Sequence, residues 1–167
     1  MAMFTPRITF FSMTALTVIG MLFAVLYLEG ALNLQACPLC MTQRVFLIAG
    51  GTIAFIAALH NSRGIMHRVY AALALLMFGT GAAVAGRHIW LQSLPEDQAP
   101  ACGPSLEYML EALPFSETVR LVLMGDGNCA DVVWTFMGMS IPMQTLLLFL
   151  FMCLLCLWQL LRRVNPA

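Results

Sequence analysis

Four long apolar stretches, Ile8–Leu28, Pro38–Leu59, Val69–Gly86 and Met143–Leu161, constrain this chain more than any other feature. A hydrocarbon core of roughly 30 Å takes about 20 residues of helix to cross. Inside lipid every backbone N–H and C=O must be satisfied within the protein, so apolar runs of this length read as membrane helices. The 167 residues are 61% hydrophobic and include only eight basic and eight acidic side chains, too few to cover a water-facing surface. The reading is an all-α membrane protein, a four transmembrane helix bundle forming one domain over 1–167. Its spans lie at about 8–28, 38–59, 69–86 and 143–161, with outer loops at about 29–37 and 87–142.

Charge orients the bundle. Arg7, Arg63, Arg68, Arg162 and Arg163 fall on one side of it. All the acidic residues, from Glu29 to Asp131, fall on the other, accompanied by Arg44, Arg87 and Arg120. Cytoplasmic loops and ends retain arginine, so both termini are expected in the cytoplasm. The first span follows Arg7 as a secretory signal would, but at about 21 residues it exceeds a typical signal core, and it is expected to be retained.

The cysteines divide under this topology. Cys37 and Cys40 stand at the outer mouth of span two, Cys102 and Cys129 in the long outer loop, and Cys153 and Cys156 inside span four. Four of them therefore face an oxidising compartment, the periplasm in a Gram-negative cell. Their pairing admits three connectivities, among which sequence does not choose.

Cys37-Pro-Leu-Cys40 carries the chemistry. A Cys-x-x-Cys pair closes a small, strained ring that exchanges electrons readily, and at the lipid boundary it can reach a lipophilic acceptor. Pro38 suits the first position of a helix, which makes Cys37 the cap and places Cys40 in the first turn. The helix N-terminus and Arg44, one turn beyond Cys40, both favour a thiolate at Cys40. The plainer alternative for Arg44 is an interfacial arginine reaching to lipid headgroups.

Together, Cys37-Pro-Leu-Cys40-Met-Thr-Gln-Arg44, the Arg87-His88 pair closing span three, Cys102, and Gly127-Asn-Cys129-Ala-Asp followed by Trp134-Thr-Phe136-Met-Gly138 resemble the bacterial disulfide bond formation protein B family. The resemblance covers nearly the whole chain. It implies a protein-dithiol:quinone oxidoreductase of the bacterial inner membrane, with redox loops in the periplasm. Cys102–Cys129 would accept electrons from a DsbA-like thioredoxin-fold dithiol, Cys102 forming the mixed disulfide and Cys129 being released. Electrons would then pass to Cys37–Cys40, with Cys37 exchanging with the loop pair and Cys40 facing the quinone. Arg44 and His88 would lie at the cofactor. The cofactor implied is ubiquinone, with menaquinone under anaerobic conditions; the partners are the DsbA-like protein, the membrane quinone pool and the bilayer, with no nucleic acid.

Other features carry plainer expectations. Leu106, Met109, Leu110 and Leu113 recur at helical spacing opposite Glu107 and Glu111, which predicts a short interfacial helix, and an apolar stretch from Val119 to Met124 follows Pro114. Gly125-Asp-Gly-Asn marks a turn before Cys129. Cys153-Leu-Leu-Cys156 lies about 15–20 Å from the outer end of its span and should be inert. His60 and His67 belong to the short cytoplasmic turn and read as solvated, and His88 reads equally as a quinone contact or an interfacial anchor. No metal site is assigned. The rival readings are a zinc or structural role for the four outer cysteines, a small scaffold or transport subunit, and a four-span redox enzyme of the vitamin K epoxide reductase type.

Overall fold

The computed structural model describes residues 5–34, 36–61, 64–95, 114–124 and 127–162. The first helix, α1 (Pro6–Leu22), starts where Thr5 accepts the Ile8 N–H on its hydroxyl and Pro6 supplies a preset φ. It runs without a break into a nine-residue π-helical segment, Phe23–Ala31, which no pattern in the sequence announces. Helix α2 spans Pro38–His60 and ends at Asn61, whose left-handed backbone (φ 45°) returns its N–H to the Ala57 carbonyl. Helix α3 (Ile65–Gln92) follows Gly64, held at φ 65°.

On the other side of the long connection lie α4 (Phe115–Met124) and the single turn α5 (Gly127–Ala130). A minimal antiparallel hairpin follows, β1 (Thr135–Phe136) and β2 (Met139–Ser140), with Phe136 opposite Met139. Its turn holds Met137 and Gly138 at positive φ, the two-residue geometry that matches strand twist. Helix α6 (Ile141–Leu161) completes the bundle.

Four helical segments are long and apolar enough to cross a bilayer: Pro6–Ala31, Pro38–His60, Ile65–Gln92 and Ile141–Leu161. The chain is a multi-pass membrane protein. Hydrogen bonding carries the first and third helices past the apolar runs, so Glu29, Arg87 and His88 are helical residues.

Helix α3 packs between α2 and α6, and α1 packs on α2. The buried side of α3 carries His67, Ala71, Ala74, Phe78, Gly81, Ala85 and His88, spaced alternately four and three residues apart as in helices wound together in bundles, with Val84 and Leu91 also buried toward its end. Small residues in that stripe matter because lipid supplies no hydrophobic drive between helices, leaving close packing to hold them. Gly50 of α2 accommodates the Phe78 ring, and Gly81 accommodates the Phe149 ring of α6. Phe10, Met13, Phe78, Phe149, Met152 and Cys156 fill the centre, while Leu76, Leu154 and Val45 face outward.

His67 corrects the sequence reading. It is fully buried rather than solvated, because it occupies the first position of the α3 stripe, and its Nε2 donates to the Gln159 carbonyl at 3.0 Å. His60 is exposed, with Nδ1 3.0 Å from the Tyr70 hydroxyl. Cys156 is buried in the bundle core beside the partly buried Cys153. The predicted helix over 106–113 lies outside the described residues. The stretch after Pro114 is helical as α4, with Thr118 and Val122 turned inward and Glu117, Arg120 and Leu121 outward.

Candidate functional site

Cys37 caps α2. Its sulfur accepts the Cys40 N–H at 3.4 Å, and Pro38 takes the first helical position. The amide expected to favour a thiolate at Cys40 is therefore directed at Cys37, since the cap side chain is the one that folds back over the first turn's free N–H groups. Cys40, three residues on, sits in the first turn with its sulfur directed toward α3.

His88 meets both cysteines. Its position at the end of the α3 stripe points it inward, where it is 2% exposed. Its Nε2 lies 3.8 Å from Cys37 Sγ and its Nδ1 4.0 Å from Cys40 Sγ. Gln43 Nε2 approaches the same Nδ1 to 3.1 Å from α2. The sequence reads His88 as either a quinone contact or an interfacial anchor; the ring is buried against both thiols and also borders the cavity beside them, a placement unlike that of a surface anchor.

The turn α5 packs on α3 and carries Cys129 into the same corner. Cys129 is fully buried in an apolar cluster with Leu39, Val84 and Leu91, with Cys37 and Phe46 beside it. The sulfurs of Cys37 and Cys129 and a ring nitrogen of His88 all lie within 4.8 Å of one another. Gln92, one turn beyond His88, donates to the Asp131 carbonyl at 3.5 Å and tethers the segment following Cys129 to α3. Cys102 lies outside the described residues.

Arg44 is bound by Glu29. Its Nη1 donates to Glu29 Oε1 at 2.6 Å, with the Arg44 side chain mostly buried and the Glu29 side chain partly exposed. Glu29 belongs to the π-helical segment, a geometry that recurs at functional sites because it re-aims side chains late in a helix. Beside the cysteines opens a cavity of about 570 Å³ lined from α1, α2, α3 and α6, with Cys37, Cys40, Arg44 and His88 among its polar lining and Met21, Leu47, Trp134 and Leu148 among its apolar lining. Trp134 stacks on Phe136 at 6.1 Å and stands 6.3 Å from both Phe23 and Tyr27, so the hairpin and the π-helical segment share one aromatic face at the mouth.

Sequence reasoning missed Gln43 and Glu29. Each had a signal. Gln43 is the polar member of the α2 stripe Gln43, Leu47, Gly50, Ala54, Ala57, which is otherwise apolar or small. Glu29 is the only acidic residue in any of the four membrane-length helices.

Comparison with known proteins agrees with this arrangement. The family model described as Disulfide bond formation protein DsbB matches residues 6–159. A Disulfide bond formation protein B of Stutzerimonas stutzeri (strain A1501) is 55% identical over 83% of this chain and 85% of its own length. Those of Saccharophagus degradans and Marinobacter nauticus are 49% and 46% identical, covering 87% and 93% of both chains. No solved structure matches the chain. Four membrane helices, a capped Cys-x-x-Cys and a loop cysteine seated against it thus belong to an oxidoreductase of disulfide formation, and the chain is a member of the disulfide bond formation protein B family.

Proposed function

We propose that the protein reoxidises a DsbA-like periplasmic thioredoxin-fold dithiol and passes the electrons to a membrane quinone. The observation that carries the proposal is the approach of Cys129 Sγ to Cys37 Sγ, within 4.8 Å, beside His88 and over the Arg44 cavity.

In this scheme a partner thiolate attacks Cys102 in a Cys102–Cys129 disulfide and releases Cys129, and the second partner thiol then displaces Cys102, leaving the partner oxidised. The loop dithiol next reduces Cys37–Cys40. Cys129 attacks the Cys37 sulfur, the Cys37–Cys40 bond breaks, and Cys40 leaves as a thiolate. Cys102 then resolves the Cys37–Cys129 bond. Two electrons and two protons have moved from the partner to the Cys37–Cys40 pair. A quinone supplies the acceptor for both, and the cavity suits one: its carbonyl oxygens match the Arg44 donor fork and its apolar body matches Met21, Leu47, Trp134 and Leu148. The reading places the protein in the inner membrane with both termini cytoplasmic, ubiquinone as the acceptor and menaquinone under anaerobic conditions.

The test is disulfide trapping. In Cys40→Ser the displaced sulfur is missing, so oxidation should join Cys37 to Cys129, and a mass-mapped peptide pair should show it. A Cys102–Cys129 pair alone, with Cys37 left as a thiol, would contradict the exchange route. A second reading rests on the same proximity. Cys37, His88 and Cys129 also offer three atoms spaced for a zinc ion, which would make this corner a structural centre. Stoichiometric zinc in purified protein, with thiols that resist oxidation, would favour it.

A further inference from the structure

We propose that Gln43 is a positioning residue that fixes the tautomer of His88, so that His88 presents Nε2–H to the sulfurs at the Cys37–Cys129 junction. The inference rests on the exchange reading above. It begins with donor and acceptor counting. An amide nitrogen only donates, so the 3.1 Å contact from Gln43 Nε2 makes His88 Nδ1 an acceptor. In a neutral imidazole the proton then resides on Nε2. That nitrogen lies 3.8 Å from Cys37 Sγ, and Cys129 Sγ belongs to the 4.8 Å cluster that a ring nitrogen of His88 makes with the Cys37 sulfur.

Burial gives the contact its force. Gln43 is 3% exposed and His88 2%, so solvent does not compete for Nδ1. A hydrogen bond from a neutral N–H to a thiolate is charge-assisted, and a dry corner strengthens it. During exchange the negative charge passes between Cys129 and Cys37, and a donor aimed at that junction stabilises the transfer without changing its own protonation. The opposite tautomer would place a lone pair there and repel the same charge. Gln43 also occupies the Nδ1 lone pair, so Cys40 Sγ, 4.0 Å from that nitrogen, is not held as a thiol by donating to it.

The experiment uses full-length protein labelled with [15N]histidine in lipid nanodiscs at neutral pH, with the His88 signals assigned by their loss in His88→Gln. The wild type should show an unprotonated Nδ1 and a protonated Nε2. Gln43→Glu, nearly isosteric, should protonate Nδ1, because a carboxylate accepts where the amide donated. Gln43→Leu should show both tautomers and reduce Cys37–Cys40 from the loop dithiol about tenfold more slowly in a single turnover, the scale of one lost donor to a charged group. A protonated Nδ1 in the wild type, an unchanged tautomer in both variants, or an unchanged exchange rate in Gln43→Leu would overturn the assignment. The spectra need no turnover, so a wild type that performs no exchange at all would defeat the functional reading separately.

Discussion

Arg44 Nη1 donates to Glu29 Oε1 at 2.6 Å, tying the π-helical end of the first span to α2 one turn below Cys40. The pair sets where the guanidinium sits, and it makes Arg44 variants harder to read than the sequence alone implies. Removing the cation leaves a partly buried carboxylate without its counter-charge, a cost separate from any role toward quinone.

The first prediction separates the two. Arg44→Lys should keep part of the apparent quinone affinity because the charge persists while the planar donor fork is lost. Arg44→Met should lose about tenfold or more, equivalent to roughly 1.4 kcal/mol or above. Combining Arg44→Met with Glu29→Gln should recover thermal stability but not affinity. Normal quinone kinetics in Arg44→Met would leave Arg44 no role beyond its ion pair with Glu29.

Cysteine substitutions should divide by location. Cys37→Ser and Cys40→Ser should abolish electron delivery while the four-span fold persists. Cys129→Ala should accumulate a mixed disulfide between Cys102 and the partner, visible on non-reducing gels, because the sulfur that competes for Cys102 is gone. No adduct under mildly oxidising conditions, with partner present, would count against Cys102 as the first sulfur attacked.

Cys153 and Cys156 give the contrasting case. Both lie along α6, with Cys156 in the bundle core and no cation or carboxylate in that helix. The Cys153→Ala and Cys156→Ala double variant should turn over within about twofold of the wild type, although the emptied Cys156 site should cost some stability. A large loss of turnover with unchanged unfolding would bring this pair into the mechanism.

Packing on α3 predicts an asymmetric glycine pair. A methyl group at Gly81 would run into the buried Phe149 ring, whereas one at Gly79 meets nothing within 4 Å. Gly81→Ala should destabilise the bundle by about 1–3 kcal/mol in mixed-micelle unfolding. Gly79→Ala should be neutral or stabilising by up to about 1 kcal/mol, since alanine favours helix. Equal effects would mean that α3 and α6 are not packed through Gly81.

Much of this was legible from the sequence because lipid and covalent spacing constrain the chain so tightly. Runs of apolar residues reveal the spans, and Cys-Pro-x-Cys reveals both a helix cap and a reactive pair. What stayed hidden depends on helix phase. His67 and His88 sit on one stripe of α3, yet α3 is apolar nearly all round, so hydrophobicity alone does not show which face turns inward; the alternation of small residues does. The π-helical segment has no sequence signature, and with it Glu29 arrives at Arg44 unforeseen. The cap itself was legible: Pro38 marks the first helical position, and the Cys40 N–H donates to the Cys37 sulfur.

The central claim is that electrons entering at the loop cysteines leave to a quinone. It is tested most directly by adding a reduced thioredoxin-fold dithiol to purified protein with a soluble quinone and following quinone absorbance and partner thiols together. The account predicts one quinone reduced for each partner disulfide formed, and none in Cys37→Ser. Partner oxidation with no quinone consumed, or quinone reduction that persists in Cys37→Ser, would contradict it.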